Sequence, residues 1–539
     1  MSSYRHLNHH FQPVHFPDRP AWERHAAWLK REMAVSLALA PAPPRPALHP
    51  EVFGKWQGDG YTCEKVCFES LPGFYVTGNL FRPTRAAKKY PVILSPHGHW
   101  PEGRFQDRDP VGSIIARCIT FARMGALLFS QDMVGHNDSC QLTHGDLPTD
   151  SQFGMSMMAI QTWNSMRILD FLLKLPGADA TRIGVTGESG GGTQTFILCG
   201  VDERPTVSAP IVMVSYSMQG GCLCENAPLL RVGATNVDIA RLFAPKPMFI
   251  GSCTKDWTKN TPTRELPALR EIYRRYGAAN RLRGHHVNAE HNYNRDMREH
   301  VYGFFHKYLF GGKSAKTIPE LSVKRPPYRD RLVFWGRVAP RPFTYEQFRK
   351  MWRERSAQAL QPHLKSPAAA RKGLGPLLPH VLGMTPGSLD EFRNKKPKQI
   401  RVTRAGDVLV VSPAPTKPDP EMENIRYFDT YNRTPFAVRV HEIIAAVERH
   451  EGPVALRGLG NTHLACLCAA AATARVKSVA VDMAHFNPHC DGDWEECAGT
   501  PGLRQIGGLA VIFAMIGKRP VRLTRAAAAV KRMKAIYAR

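Results

Sequence analysis

No apolar run in this chain of 539 residues approaches the roughly 18 needed to cross a bilayer. The longest candidate, Gly508 to Gly517, reads as a buried helix or strand. The opening residues, Met1-Ser-Ser-Tyr-Arg-His-Leu-Asn-His-His10, lack an apolar signal core, so a cytoplasmic location is expected. Acidic residues are scarce, 46 Asp and Glu against 72 Lys and Arg, for a formal net charge of +26. Such a balance attracts acidic polymers and surfaces. The basic residues are spread along the chain, however, and neither a zinc-finger pattern nor an RNP motif is present, so no specific nucleic-acid partner is expected. The 12 cysteines lack regular spacing, which points to free, buried thiols in a reducing compartment.

What is present is ample core material, 43% hydrophobic residues with 9 Trp, 15 Tyr and 25 Phe, in a chain long enough for two or more domains. Residues 1–50 read as a helical arm and a proline-rich connector, and 51–315 as an α/β domain. Residues 316–399 read as a basic helical and linker region, with Ser366 to Pro379 its linker, and 400–539 as a second α/β unit. Buried strands at Tyr90 to Ser95, Gly125 to Ser130, Ile183 to Thr186, Ala209 to Val214, Pro247 to Gly251 and, more weakly, Leu282 to Val287 alternate with helical segments. That alternation predicts a doubly wound, mostly parallel sheet covered on both faces.

The segment Gly187-Glu-Ser-Gly-Gly191 lies between a strand and a helix, the G-x-S-x-G context of a nucleophile elbow. A serine hydroxyl there projects from a tight turn, and side chains at Gly187 or Gly191 would collide with the adjoining backbone. A serine alcohol needs a base, and the base an orienting acid, in the chain order Ser, Asp or Glu, His. Asp256 follows the strand ending near Ser252, and His291 stands between the last strand and the last helix of the first domain. They are the expected acid and base, favoured over Asp202 and Glu290 and over His285 and His286. The oxyanion donors are expected among the backbone N–H of Gly190 and those of the loop Pro96-His97-Gly98-His99-Trp100, with Gly98 and His99 the candidates there.

Several polar residues near strand ends are candidate substrate contacts: His97, Asp132, Glu188, Glu225, Asn226 and Trp257. For His97 the competing reading is a turn residue, and for Glu188 a salt bridge inside the fold. Cys222-Leu-Cys224 is a C-x-C pair, but no second pair with zinc-type spacing stands near it, so neither metal nor cofactor is expected. Gly458-Leu-Gly460, with Asp482 downstream, imitates a dinucleotide fingerprint, yet the third glycine is replaced by His463. Superposed on the elbow instead, the serine position falls on Gly460. A noncatalytic C-terminal α/β domain, a degenerate hydrolase-like or Rossmann-like copy, is the reading that remains.

Leu71-Pro-Gly-Phe-Tyr-Val-Thr-Gly-Asn-Leu-Phe-Arg-Pro83, Pro96-His-Gly-His99, Asp132-Met-Val-Gly135, Gly187-Glu-Ser-Gly-Gly191, Cys224-Glu-Asn-Ala227, Asp256-Trp-Thr258 and His291-Asn-Tyr-Asn294 together resemble an acetyl xylan esterase-like family of α/β-hydrolases. That family is related to dienelactone hydrolase and to prolyl-oligopeptidase catalytic domains. The resemblance implies an α/β-hydrolase fold and a Ser-His-Asp esterase acting on short-chain esters, such as acetyl groups on a sugar. A prolyl-oligopeptidase-like peptidase is the enzymatic alternative, although no repeated strand-rich blades precede the domain. A noncatalytic pseudo-hydrolase binding protein is the other.

Overall fold

A computed structural model of the chain describes residues 4–145, 149–322, 324–415 and 419–539. Its larger sheet has nine strands: β1 (Glu51–Gly58), β2 (Tyr61–Leu71), β3 (Phe74–Pro83), β4 (Tyr90–Leu94), β5 (Leu127–Gln131), β6 (Ala178–Glu188), β7 (Val207–Ile211), β8 (Met248–Cys253) and β9 (Leu282–Val287). They lie in the order β1-β2-β3-β5-β4-β6-β7-β8-β9. The pairs β1/β2, β2/β3 and β3/β5 are antiparallel, and every other pair is parallel.

Alternation along the strands sorts their side chains into two cores. Val92 and Leu94 of β4 join Ile183 and Val185 of β6 on one face, while Ile93 points to the other. Helices α1 (Arg19–Ser36), α3 (Met157–Leu172), α4 (Gly190–Val201) and α5 (Glu265–Arg275) cover the first face, and α2 (Ile114–Met124) and α6 (Arg295–Leu309) the second. Local signals set the helix ends. Ser113 accepts from the Ala116 amide to start α2, and Gly125, left-handed at φ 108°, stops it. A sheet buried on both sides follows, with the βα loops that hold the candidate residues gathered at the carboxyl ends of the parallel strands.

The second sheet runs in chain order: β10 (Ile400–Ala405), β11 (Val408–Pro413), β12 (Val454–Gly458), β13 (Val476–Asp482) and β14 (Val521–Thr524). Only β10 is antiparallel to its neighbour. With α7 (Tyr345–Leu360) lying between the two sheets in the chain, its helices are α8 (Pro435–Glu448), α9 (His463–Ala472), α10 (Leu509–Ile516) and α11 (Ala528–Tyr537). They share one core with the inward residues Leu409, Val411, Leu456, Val479 and Val481. The alternate residues, such as Val410, Arg457 and Ala480, are half-buried or exposed.

The stretch expected as a linker is folded. Ser366 caps a helix over Pro367–Gly373, and Ala370, Leu374, Leu377 and Leu378 are buried in the second core. The arm, too, is packed. Trp22, Leu29 and Met33 of α1 enter the first core and Val35 the second. Buried Glu32 accepts from His380 Nδ1 at 2.7 Å, and the Gln505 amide donates to the carbonyls of Val35 and Ala40 at 3.1 and 2.7 Å. Among the described residues no helix is long and apolar enough to cross a membrane.

Candidate active site

Strand β6 ends at Glu188 and α4 begins at Gly190, leaving Ser189 between them at φ 56°, ψ −123°. A β-carbon pays for that left-handed conformation in steric strain. The neighbouring glycines are required by space, because a Cβ at either Gly187 or Gly191 would overlap the carbonyl oxygen of Pro96. The Ser189 N–H donates to Ile211 O at 3.1 Å, tying the turn to β7.

Asp256 and His291 come together from the loops after β8 and β9. His291 Nδ1 lies 2.8 Å from Asp256 Oδ2. The other carboxylate oxygen accepts from the Thr258 N–H and Oγ1 at 2.6 and 2.5 Å. The acid is thereby oriented, with a side chain 2% exposed. The imidazole donates to it through Nδ1, which leaves a lone pair on Nε2, and Nε2 is buried with no hydrogen-bond partner among the described residues. The rings of Trp257 and Trp100 flank His291 at 4.5 and 5.9 Å. Trp100 Nε1 donates to Glu188 Oε1 at 3.0 Å, and Gly98 sits so close to the elbow that a Cβ there would lie 3.1 Å from Ser189 Cβ. The serine and the histidine thus flank the same short loop, 97–100.

Most of the expected substrate contacts are engaged inside the protein. Glu188 is buried and ion-paired with Arg117 at 2.6 Å, and the guanidinium also reaches Ser95 and lies over the Tyr293 ring. His97 is buried; its Nε2 accepts from the Met133 N–H at 3.0 Å and its Nδ1 donates to Gly98 O at 2.7 Å. Burial lowers its pKa well below the ordinary value, so it is a neutral strut between two loops. Asp132 pairs with Arg104 and accepts from Thr77 at 2.7 Å, and burial, against the pull of Arg104, raises its carboxyl pKa to about 6. Glu225 accepts from the N–H groups of Gly221 and Cys222. Asn226 bonds Gly220 O, Cys222 O, Arg231 and the Tyr431 hydroxyl. These five are thus held by partners inside the protein. Trp257 differs in that it packs on the imidazole. The Gly98 N–H faces Glu188 Oε1 at 3.4 Å.

The structure also assembles a group that the spacing rule missed. The rings of His99 and His144 meet Nε2 to Nε2 at 3.2 Å, His99 Nε2 is 3.0 Å from Cys224 Sγ, and Cys222 Sγ is 3.3 Å from His144 Nε2. The Cys222 thiol is shifted strongly down, first by its hydrogen bond with Cys224 against the effect of burial, and the buried Cys224 thiol is shifted up. A cavity of about 680 Å³ lined by Tyr75, Gln141, Arg337 and Phe343 contains none of the candidate residues.

No family model matches the chain, and no curated protein matches it. Solved structures do. One is named Methylesterase BT1017, with 33% identity, a TM-score of 0.48, and coverage of 54% of this chain and 65% of that one, so the match spans just under two thirds of the methylesterase. A glucuronoyl esterase from Solibacter usitatus matches with 16% identity, a TM-score of 0.42 and coverage of 56% and 98%. An acetyl xylan esterase from Paenibacillus sp. R4 matches with 16% identity, a TM-score of 0.37 and coverage of 56% and 96%. All three are named as esterases.

Proposed function

We propose that the chain is a serine carboxylic-ester hydrolase in which Ser189 is the nucleophile, His291 the base and Asp256 the orienting acid. The observation that carries this reading is the buried Nε2 of His291, without a partner, on an imidazole whose other nitrogen is held by a carboxylate. An imidazole so arranged can take a proton at one atom only.

In the proposed reaction, His291 Nε2 removes the Ser189 hydroxyl proton as Oγ attacks the ester carbonyl. The tetrahedral oxyanion is met by the N–H of Gly190, at the positive end of α4, and by an N–H of the loop 97–100, that of Gly98 or His99. His291 then protonates the leaving alcohol, and by the same path activates water against the acyl-enzyme. The imidazolium formed at each stage is stabilised by Asp256. The His99 ring packs against Gly190, where a Cβ would overlap it. Walls this close to Ser189 suit a short acyl group, acetyl above all, and the motif resemblance makes a sugar the proposed alcohol.

The test is hydrolysis of p-nitrophenyl esters of increasing chain length, beside an aminoacyl anilide, by the wild type and by Ser189→Ala. Acetate is expected to turn over fastest, with activity lost in the variant. Cleavage of the anilide would redirect the reading to a peptidase. No turnover, together with no labelling by an organophosphate, would make the protein a binding module.

A further inference from the structure

We propose that His99, His144, Cys222 and Cys224 bind one zinc ion in a closed, four-ligand site beside the candidate catalytic serine. The four donor atoms lie within 4.8 Å of one another. Zinc bonds of about 2.0–2.1 Å to nitrogen and 2.3 Å to sulfur give a tetrahedron whose edges are about 3.3–3.8 Å. Three of the edges already stand at 3.0, 3.2 and 3.3 Å, so a spread of a few tenths of an ångström admits the ion.

Hydrogen bonding alone accounts poorly for this convergence. His144 Nδ1 is 2.6 Å from Val134 O and must donate to it, which fixes the tautomer and leaves Nε2 with a lone pair only. Both His99 Nε2 and the Cys222 sulfur crowd that single lone pair. One cation at the centre satisfies all four donors at once. Two thiolates and two neutral imidazoles also cancel the charge of a divalent ion, as a partly buried site requires.

The supporting shell is of the kind that metal ligands need. The Val134 carbonyl orients His144. A Cβ at Gly135, left-handed at φ 81°, would overlap the backbone of His144, so glycine is what lets that segment close on the cluster. The Glu225 carboxylate gathers the N–H groups of Gly221 and Cys222 at 2.8 and 3.1 Å, fixing the turn from which both sulfurs project. Mixed nitrogen and thiolate donors select zinc over magnesium or calcium, and four protein ligands leave no position for substrate. The ion is therefore structural. It would pin the loop containing His99 to the segments at His144 and Cys222.

The test is elemental analysis of the full chain purified without chelator, with the visible spectrum of the cobalt-substituted protein as a second readout. We expect one zinc per chain, intense d–d bands with thiolate-to-cobalt charge transfer, and loss of both in Cys222→Ser/Cys224→Ser. Should that variant fail to fold, a mercurial titration of the wild type reads the same point, since zinc should leave in step with two thiols. Metal-free wild type, a Cys222–Cys224 disulfide by mass spectrometry, or full zinc retained in the double variant would each overturn the site. None of these readouts depends on ester hydrolysis, so the metal site and the proposed activity stand or fall separately.

Discussion

Two strand–turn–helix junctions in this chain each carry a residue of positive φ and hold different residues there. At the end of β6 the turn is Gly187-Glu-Ser-Gly-Gly191, with Ser189 at φ 56°; at the end of β12 it is Gly458-Leu-Gly-Asn-Thr462, with Gly460 at φ 60°. The Ser189 geometry recurs almost unchanged at Gly508, φ 53° and ψ −126°, ahead of α10. Where the backbone alone decides, glycine takes the left-handed position. A serine held there costs on the order of 1–3 kcal/mol, and such strain persists where a side chain must be presented. The surroundings differ in the same sense. In the first, the Asp256 carboxylate meets His291 at 2.8 Å, whereas the carboxylate at the end of β13, Asp482, is closed by Arg525 at 2.6 Å.

The largest effect should separate the two carboxylates. Asp256→Asn frees the imidazole from its tautomer and is expected to lower kcat/KM for p-nitrophenyl acetate by about 10⁴-fold. Asp482→Asn should leave it unchanged, and equal losses would break the distinction between the sheets. Next, Glu32→Ala leaves His380 buried without its partner and should cost about 3–5 kcal/mol of unfolding free energy. Calorimetry should give one transition for the wild type, because α1 belongs to both cores. Two well-separated wild-type transitions would mean that the sheets are independent.

Acidification should weaken the second sheet's core through His441, whose pKa burial lowers to about 4, with the nearby Arg433 charge adding to the shift. The unfolded ring titrates at about 6.5 and so binds the extra proton first. Stability is therefore present above about pH 6.5 and is lost as pH falls toward 4, by roughly 3 kcal/mol at full extent. Urea unfolding of His441→Gln across this window should show a flatter dependence, and an unchanged slope would count against the assignment. The smallest effect is the relief of strain. Ser189→Gly should raise stability by about 1 kcal/mol, part of the gain being offset by the freer unfolded chain, while Gly460→Ser should lower it.

The elbow and the pairing of Asp256 with His291 were legible because each depends on chain order and on a strand-to-loop change, both of which are local patterns. Strand β9 was faint in sequence, since Arg283, His285 and His286 interrupt its apolar character, and it lies at the sheet edge where polar residues are tolerated. At Ser366 to Pro379 the Ala, Gly and Pro content suggests a linker, but the position of its residues specifies a helix. Ser366 before Pro367 is a helix start, and the Ala and Leu residues that follow supply a buried face. The partners of Asp132 are not legible in sequence, because Arg104 and Thr77 come from distant segments. His144 carries no local signal at all. Its relation to Cys222 and Cys224 arises from three loops meeting, which no single-segment spacing rule can see.

The arm α1 also bears on how the chain is made. Glu32 waits for a partner 348 positions downstream, and the Val35 carbonyl for a donor 470 positions away. On the ribosome this helix emerges before both partners, so these two contacts can form only when the later segments have followed. Trp22, Leu29 and Met33 can bury themselves once the first core exists, whereas Glu32 and the Val35 carbonyl stay unpaired until the second sheet's segments dock, which makes that docking the step that completes the arm.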